Sequence, residues 1–547
     1  MKKTKFQFLL FTVFVLFIAV NTVVFAGGGN QTPAAPQGSA APAAAAQNAV
    51  KNMNDTGLPI CITPQTFTIA IAKGPQTKNN FADKEISKKS EQLTNVVIDW
   101  LEIPQADYAQ KVNLLIASGD LPDALNGPND IPPNISVLAS LGDIINKYAP
   151  NLTKLFNDRP DLLKALKNAD GKIYSLPGDA ETFQNTVPQN LFINKVWLDK
   201  LGLPVPKTTD DFYNTLKAFK DKDPGAAGSD FTGLSVNNSV GVGGIQYFFG
   251  AWGLLVDLSD RANQNYAMVK DNKVIFAPAQ QGYKDGLLWL NKLYAAGLLD
   301  PESFTMTTEQ YLAKFMNKDV LGSMISFAPD QQVGNRGSQD FVPVPPLKGP
   351  NGDQLWLKGQ PGVFGRFAIT KKCVAPEIIV RWFDNNMSSL EYALEWDRGP
   401  KGVAWDFTPD GKWKVLTENN PPGIIYGEWR HTITFGYIAP LFMSVAWVGP
   451  DAQEFTAPTD IFKVNAVKQY IPYAQIAFPK GFDDPVRADE RRILSLDIDT
   501  YMRRFVSNSI MNGLTDVQWT AHLNTLQSLK VDRYVQLCQQ FVDSLGQ

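Results

Sequence analysis

The sequence predicts an α/β fold built on parallel sheets, ending in an all-helical region. Three observations carry that prediction. Short apolar runs alternate with amphipathic helical patterns along the first part of the chain, as parallel sheets with crossover helices require. Gly, Pro, Asn and Asp clusters stand at the changes of period. Residues 489–545 carry only a helical pattern.

The elements follow in order. Residues 66–72 alternate, with Phe67, Ile69 and Ile71 on one face of a strand. Residues 83–93 read as a charged helix. Val96, Val97 and Ile98 run consecutively, as in a strand buried on both faces. Then comes 107–125, DYAQKVNLLIASGDLPDAL. Asp107 and Gln110 open a helix, Tyr108, Val112, Leu115 and Ile116 form its apolar stripe, and Gly119 supplies the left-handed residue that ends it. Asp120 follows in a tight turn. In open α/β sheets ligands gather at one edge, and the Gly119–Asp120 turn is assigned to it; a turn-capping role for Asp120 is the equal alternative. Strand, helix, strand, helix, strand implies right-handed crossovers.

Asp170-Gly171 makes a hairpin turn, and Leu191-Phe192-Ile193 a strand. A short helix at 195–201 ends at Gly202, and the next opens at 208–211 with Phe212, Leu216 and Phe219 inside. Residues 247–253 set aromatics beside glycines. A strand at 273–276 precedes a helix over 283–296, and 322–327 is a strand. Residues 341–349 form an extended connector, Phe367-Ala368-Ile369 a strand, and a helix starts at Pro376. Tyr501, Phe505, Trp519, Leu523, Leu526, Tyr534 and Phe541 are the core candidates of the helical tail.

Composition bounds the chemistry. A chain of 547 residues with 44% hydrophobic and 19% charged residues buries large cores. A net charge of −3 argues against a nucleic-acid surface. Cys61, Cys373 and Cys538 are too few for a disulfide scaffold. Lys2, Lys3 and Lys5, the apolar run 8–20 and Val24-Phe25-Ala26 read as a cleavable export signal over 1–26. Its removal takes the net charge from −3 to −6. The Gly/Ala/Pro-rich stretch that follows is a flexible leader, with no cysteine positioned for a lipid anchor. His431 and His522 are the only histidines and stand far apart, which removes His-based zinc sites and most His-assisted nucleophiles. Carboxylate pairs such as Asp120 and Glu428 are too freely chosen among 54 acidic residues to argue for glycoside hydrolysis.

Four stretches resemble, in order, segments of the extracellular solute-binding proteins of ABC transporters, family 1, in the LipO-like sugar-binding branch. They are ASGDLPD at 117–123, LFINKVWLDKLGLPVPKTTDDFYNTLKAFKDKDP at 191–224, DNKVIF…YKDGLLWLNKLYAAGLLDPESF at 271–304, and RGPKGVAWDFTPDGKWK at 398–414. The resemblance spans about 66 to 543. It implies a two-lobe periplasmic-binding-protein fold with hinge strands: leader to 62, first lobe 63–186, second lobe 187–345, return to the first lobe 346–450, and a helical region 451–547 packed on the lobes. It implies a periplasmic or secreted monomer that captures a glycan by hinge closure and delivers it to ABC permease subunits, with no catalysis and no nucleic acid. Relatives carry a calcium-like loop where this chain has DPGAAGSDFTGL. Gly225, Ala226 and Ala227 lack side-chain oxygens and only Asp221, Asp223, Ser229 and Asp230 could contribute, so calcium stays open but is not favoured, and no other cofactor is expected.

Sugar rings present an apolar C–H face and a polar rim, so aromatics in loop contexts are the natural platforms. Trp252 and Trp405 are assigned stacking roles, with Trp429 and Tyr247 as further stackers. Core packing is the equal alternative for each tryptophan. Gly119 and Asp120 are assigned hydroxyl contacts, and Arg366 a polar or acidic group. Arg366, Arg398, Lys401 and Arg430 suit uronic acids or are solvated. A secreted carbohydrate-active enzyme and a binding fold reused as sensor or adhesin stay open as alternatives.

Overall fold

A computed structural model describes residues 51–127, 135–237, 244–258, 266–359, 363–424 and 426–545. The export signal and most of the leader lie outside the described residues. The chain is a mixed α/β protein of two lobes, each with its own sheet and core.

The first lobe begins with β1 (Gln65–Lys73). Helix α1 (Glu85–Thr94) leads to β2 (Val96–Pro104), and α2 (Tyr108–Ser118) leads to β3 (Ala124–Asn126). These strands are parallel, with Gln65 opposite Val96 and Ile69 opposite Ala124. The alternation in β1 has a direct structural result. Phe67, Ile69 and Ile71 enter one core, while Ala70 and Ala72 face another with Tyr108 and Val112 of α2. Gly119 ends α2 at φ 77°, a conformation that penalises any side chain.

The chain leaves the first lobe along β4 (Leu176–Ala180), crosses at 181–189, and enters the second lobe as β5 (Asn190–Asn194). There β6 (Thr232–Ser235), helix α3 (Gln281–Ala295), β7 (Leu321–Ser326) and β8 (Phe341–Val344) follow. The sheet order is β8-β5-β7-β6. The chain then returns as β9 (Val363–Ile369), passes helix α4 (Leu390–Arg398) and helix α5 (Tyr426–Ile433), and adds β10 (Phe442–Met443). The completed six-stranded sheet runs β10-β4-β9-β3-β1-β2.

The sheets are mixed rather than parallel. In the first lobe β9 is antiparallel to both β3 and β4, because it re-enters from the crossing toward which β4 exits. In the second, β5 is antiparallel to β7 and β8, and only β6 and β7 pair in parallel.

The chain crosses once more before α6 (Pro458–Tyr470), which sits on the second lobe. Its Tyr470 hydroxyl accepts from the Leu191 N–H at 2.8 Å and donates to the Val344 carbonyl. Helices α7 (Pro485–Asn512), α8 (Asp516–Ser528) and α9 (Val531–Leu545) follow. Met502, Ile510, Trp519, Tyr534 and Phe541 lie in the second lobe's core, while Phe482 touches that of the first. The tail is thus chiefly an extension of the second lobe. All three cysteines are buried and unbridged.

His522 pins this tail. Its ring stacks on Phe505 with centroids 3.8 Å apart. Nε2 donates to the Pro278 carbonyl at 3.0 Å, so Nδ1 accepts from the Tyr501 hydroxyl at 2.9 Å. Burial pushes this imidazole down to about 4. The unfolded chain therefore binds the proton first as pH falls. Stability is full above about pH 6.5 and is lost between there and pH 4, by about 3 kcal/mol. Denaturation series over that range will show the loss in the wild type and a flatter profile in His522→Gln; parallel profiles would remove His522 from the cause.

Candidate functional site

The direction of the strands decides where the site lies. Strand β4 runs from its carboxyl end at Ala180 straight into the crossing. It is antiparallel to β9, as β3 is, so β3 and β4 point the same way. The carboxyl edge of the first sheet therefore faces the second lobe, and this is the edge on which open α/β sheets bind ligands.

Asn126 ends β3 on that edge. It is buried; its Nδ2 donates to the Ile438 carbonyl at 2.8 Å, and its Oδ1 has no hydrogen-bond partner among the described residues. Gly127 follows, donating to the Arg366 carbonyl at 3.1 Å, and a Cβ there would overlap the Tyr108 ring. The Asn126–Ile438 bond draws the 3₁₀ turn Gly436–Ile438 onto this edge. Tyr437 in that turn is 60% exposed. Its ring is held by the Arg430 guanidinium at 5.2 Å and by an edge contact with His431 at 5.1 Å. Arg430 is fixed in turn by Asp397, whose backbone carbonyl accepts from Nε at 2.7 Å and whose carboxylate accepts from Nη2. The result is an exposed aromatic face on a rigid support.

In the crossing segment, buried Glu181 accepts from Arg159 at 2.7 Å through Oε2, while Oε1 has no partner among the described residues. Asn190 begins β5 directly opposite Ser326, the last residue of β7. Asn190 Nδ2 and Ser326 Oγ are buried and likewise unmatched among the described residues. Lys463 of α6 reaches this corner, donating to Asn190 Oδ1 at 2.6 Å, Pro188 O at 2.9 Å and Val187 O at 3.0 Å. Burial holds its ammonium well below the usual lysine range.

The exposed Tyr437 ring suits a ligand with an apolar face, such as a sugar ring; the unmatched amide and hydroxyl atoms of Asn126, Asn190 and Ser326 are buried. Tyr437 was not singled out from the sequence, although the cue used for the tryptophans, an aromatic beside Gly and near Pro, is present in FGYIAP.

The residues expected from the sequence fall elsewhere, with one exception. Gly119 and Asp120 lie on the opposite edge. Asp123, three residues on, bonds Thr68 near the start of β1, its N–H to the Thr68 carbonyl at 2.9 Å and its Oδ2 from the Thr68 N–H at 2.8 Å. A turn from helix to strand lies at the amino ends of parallel strands; only strand-to-helix turns reach the carboxyl edge. Asp120 instead borders an outer depression of about 250 Å³ with Thr68, Leu101 and Lys372.

Trp405 is fully buried in the first-lobe core, its Nε1 donating to the Gly399 carbonyl at 2.7 Å, so it offers no stacking face in this structure. Trp252 packs on Trp289 at 5.7 Å in the second-lobe core. Tyr247 is buried 5.3 Å from Trp356, and burial pushes its hydroxyl far up. Glycines beside these rings mark close backbone approach rather than exposure: a Cβ on Gly286 would strike Phe249 and crowd Trp252. Trp429 is half-buried, edge-on to Tyr426. Arg366 alone reaches the carboxyl edge, where Gly178 makes room for its stem, and it is already engaged within the protein.

In the loop 223–234, where the resemblance set a calcium-like motif, the acidic side chains make internal contacts. Asp223 spends its two carboxylate oxygens on the N–H groups of Ala227 and Gly228, at 2.8 and 2.9 Å, and Asp221 pairs with Lys217. Among the described residues no group of three or more His, Cys, Asp or Glu side chains is placed to share a metal ion.

Residues 73–393 match the family of bacterial extracellular solute-binding proteins, and the chain belongs to that family. Among its relatives is the fructooligosaccharide ABC transporter substrate-binding protein FusA of Streptococcus pneumoniae, 29% identical over 501 residues, covering 88% of this chain and 90% of that one. The structure of FusA in complex with kestose superposes with a TM-score of 0.72 at 26% identity, covering 88% of this chain and 99% of FusA. The polygalacturonan/rhamnogalacturonan-binding protein YtcQ of Bacillus subtilis is 28% identical over 346 residues, covering 60% of this chain and 64% of YtcQ. Among the described residues no helix is long and apolar enough to cross a membrane.

Proposed function

We propose that this protein is the solute-binding component of an ABC importer, acting outside the membrane, and that it captures an oligosaccharide by lobe closure without breaking any bond in it. The observation that carries this is the exposed Tyr437 ring, in the turn that Asn126 holds on the carboxyl edge of the first sheet. A sugar ring stacked on Tyr437 keeps its hydroxyl rim free for polar contacts. Contacts from both lobes exist only when the lobes approach, so ligand shifts the population toward the closed form, which then docks on the permease. The crossing segments absorb the motion. The similarity to FusA over nearly its whole length supports the same reading. The protein acts as a monomer and needs no calcium.

Calorimetric titration of a panel of neutral and acidic oligosaccharides tests this, with incubated samples checked for shortened products. Binding without product is expected, equally in buffer and in EGTA; turnover would make the protein an enzyme. Tyr437→Ala should weaken the best ligand about tenfold or more, with unliganded stability changed by no more than about 0.5 kcal/mol. Unchanged affinity would remove Tyr437 from the site.

A further inference from the structure

We propose that Lys84 is a positioning residue for ligand capture: its buried ammonium clamps the last turn of α5, on which the Tyr437 ring is built. The inference rests on the binding function proposed above. Lys84 immediately precedes α1, in the connection that leaves the carboxyl end of β1. Strand β1 is parallel to β3, so this connection starts on the same edge as Asn126. Only 3% of Lys84 is exposed. Its Nζ donates to the Thr432 carbonyl at 3.0 Å, reaches the His431 carbonyl at 3.4 Å, and lies 5.5 Å from the centre of the Phe81 ring.

Among the described residues Lys84 pairs with no carboxylate. Glu102, whose charge it feels, is engaged through both oxygens, by Lys73 at 2.5 Å and by the Phe81 N–H at 2.6 Å. Burying an ammonium without a counter-ion is costly. Burial, with a smaller push from Lys73, takes this one down to about 8. What offsets the cost is the end of a helix. The last carbonyls of a helix have no partner within it and form the negative end of its dipole, where a cation is favoured. Lys84 occupies that end of α5.

The same helix end supports Tyr437. The Arg430 carbonyl accepts from the Thr434 N–H at 2.9 Å and from its hydroxyl at 3.0 Å, and that hydroxyl accepts from the Gly436 N–H at 3.0 Å. Gly436 packs so closely on His431 that a Cβ there would stand 2.7 Å from Nδ1, and the Tyr437 ring meets His431 edge-on at 5.1 Å. His431 thus bears on the turn through its ring while its own carbonyl lies under Lys84. Asn126 holds the turn from its other end, through Ile438. Without the Lys84 clamp the last turn of α5 frays, and the ring edge-on to His431 loses its fixed place. Binding must then supply the ordering that the free protein lacks.

The test is a double-mutant cycle read by titration calorimetry at about pH 7, where Lys84 is charged, on the wild type, Lys84→Met, Tyr437→Ala and the double variant. The probe is the tightest binder of the oligosaccharide panel, which includes kestose and trigalacturonate as neutral and acidic trisaccharides. Lys84→Met should weaken binding about fivefold or more when Tyr437 is present, and less than about twofold when it is Ala. Lys84→Arg, which returns a cation to the helix end, should recover affinity to within about threefold of the wild type. Should Lys84→Met fail to fold, Lys84→Gln, which keeps a neutral donor, takes its place in the cycle. Wild-type affinity in the Lys84 variant, or a loss of equal size in both backgrounds, would overturn the inference while leaving capture at Tyr437 intact. Wild-type affinity in Tyr437→Ala would remove the platform and this inference with it. Binding of nothing in the panel would overturn the capture function itself.

Discussion

Trp405→Ala will lower the stability of the first lobe by about 3–5 kcal/mol, the range for deleting a fully buried large aromatic. The indole is closed off from solvent and packs edge-on to Phe407 at 5.3 Å. Its removal leaves a cavity in the core and strands the Gly399 carbonyl, which now accepts from Nε1 at 2.7 Å. Equilibrium denaturation should show the loss directly. Glycan affinity measured well below the shifted midpoint should change little. A variant with wild-type stability and abolished binding would put Trp405 back at the ligand.

Asp397→Ala is the second large effect. Asp397 is buried between Arg398 and Arg430, with one carboxylate oxygen on each guanidinium. Deleting it leaves the two buried arginines without their shared carboxylate, and breaking a buried pair by removing one partner costs about 3–5 kcal/mol. Here affinity should fall as well, because Arg430 carries the Tyr437 ring. Asp397→Asn keeps the shape and loses the charge, so it should be nearly as unstable. Were Asp397→Asn as stable as the wild type, the pairing would not be what holds the Tyr437 support together.

Strand β1 was legible in the sequence because a half-buried strand must alternate, and Phe67, Ile69 and Ile71 do so against Ala70 and Ala72. The ends of α2 and of the helix Lys195–Leu201 were legible because Gly119 and Gly202 occupy left-handed conformations. The direction of β9 was not, since Phe367-Ala368-Ile369 is equally apolar in a parallel or an antiparallel neighbourhood. The edge on which Asp120 lies was in principle derivable, because a helix-to-strand turn always sits at the amino ends of parallel strands. The aromatics failed for a different reason. A tryptophan beside glycine marks either an open loop or a tight backbone approach, and local sequence does not distinguish them; Trp252 belongs to the second case, and Trp405 is closed off in the core. Tyr437 becomes visible only once Asn126 and Ile438, 312 residues apart, are joined by a hydrogen bond.

The two lobes are expected to close on an oligosaccharide stacked on Tyr437. Small-angle scattering with and without that ligand measures it most directly. The account predicts a smaller radius of gyration at saturation for the wild type, and none of that compaction for Tyr437→Ala at the same ligand concentration. Saturable binding with no change in the radius of gyration would contradict it, since the ligand would then be held by one rigid body.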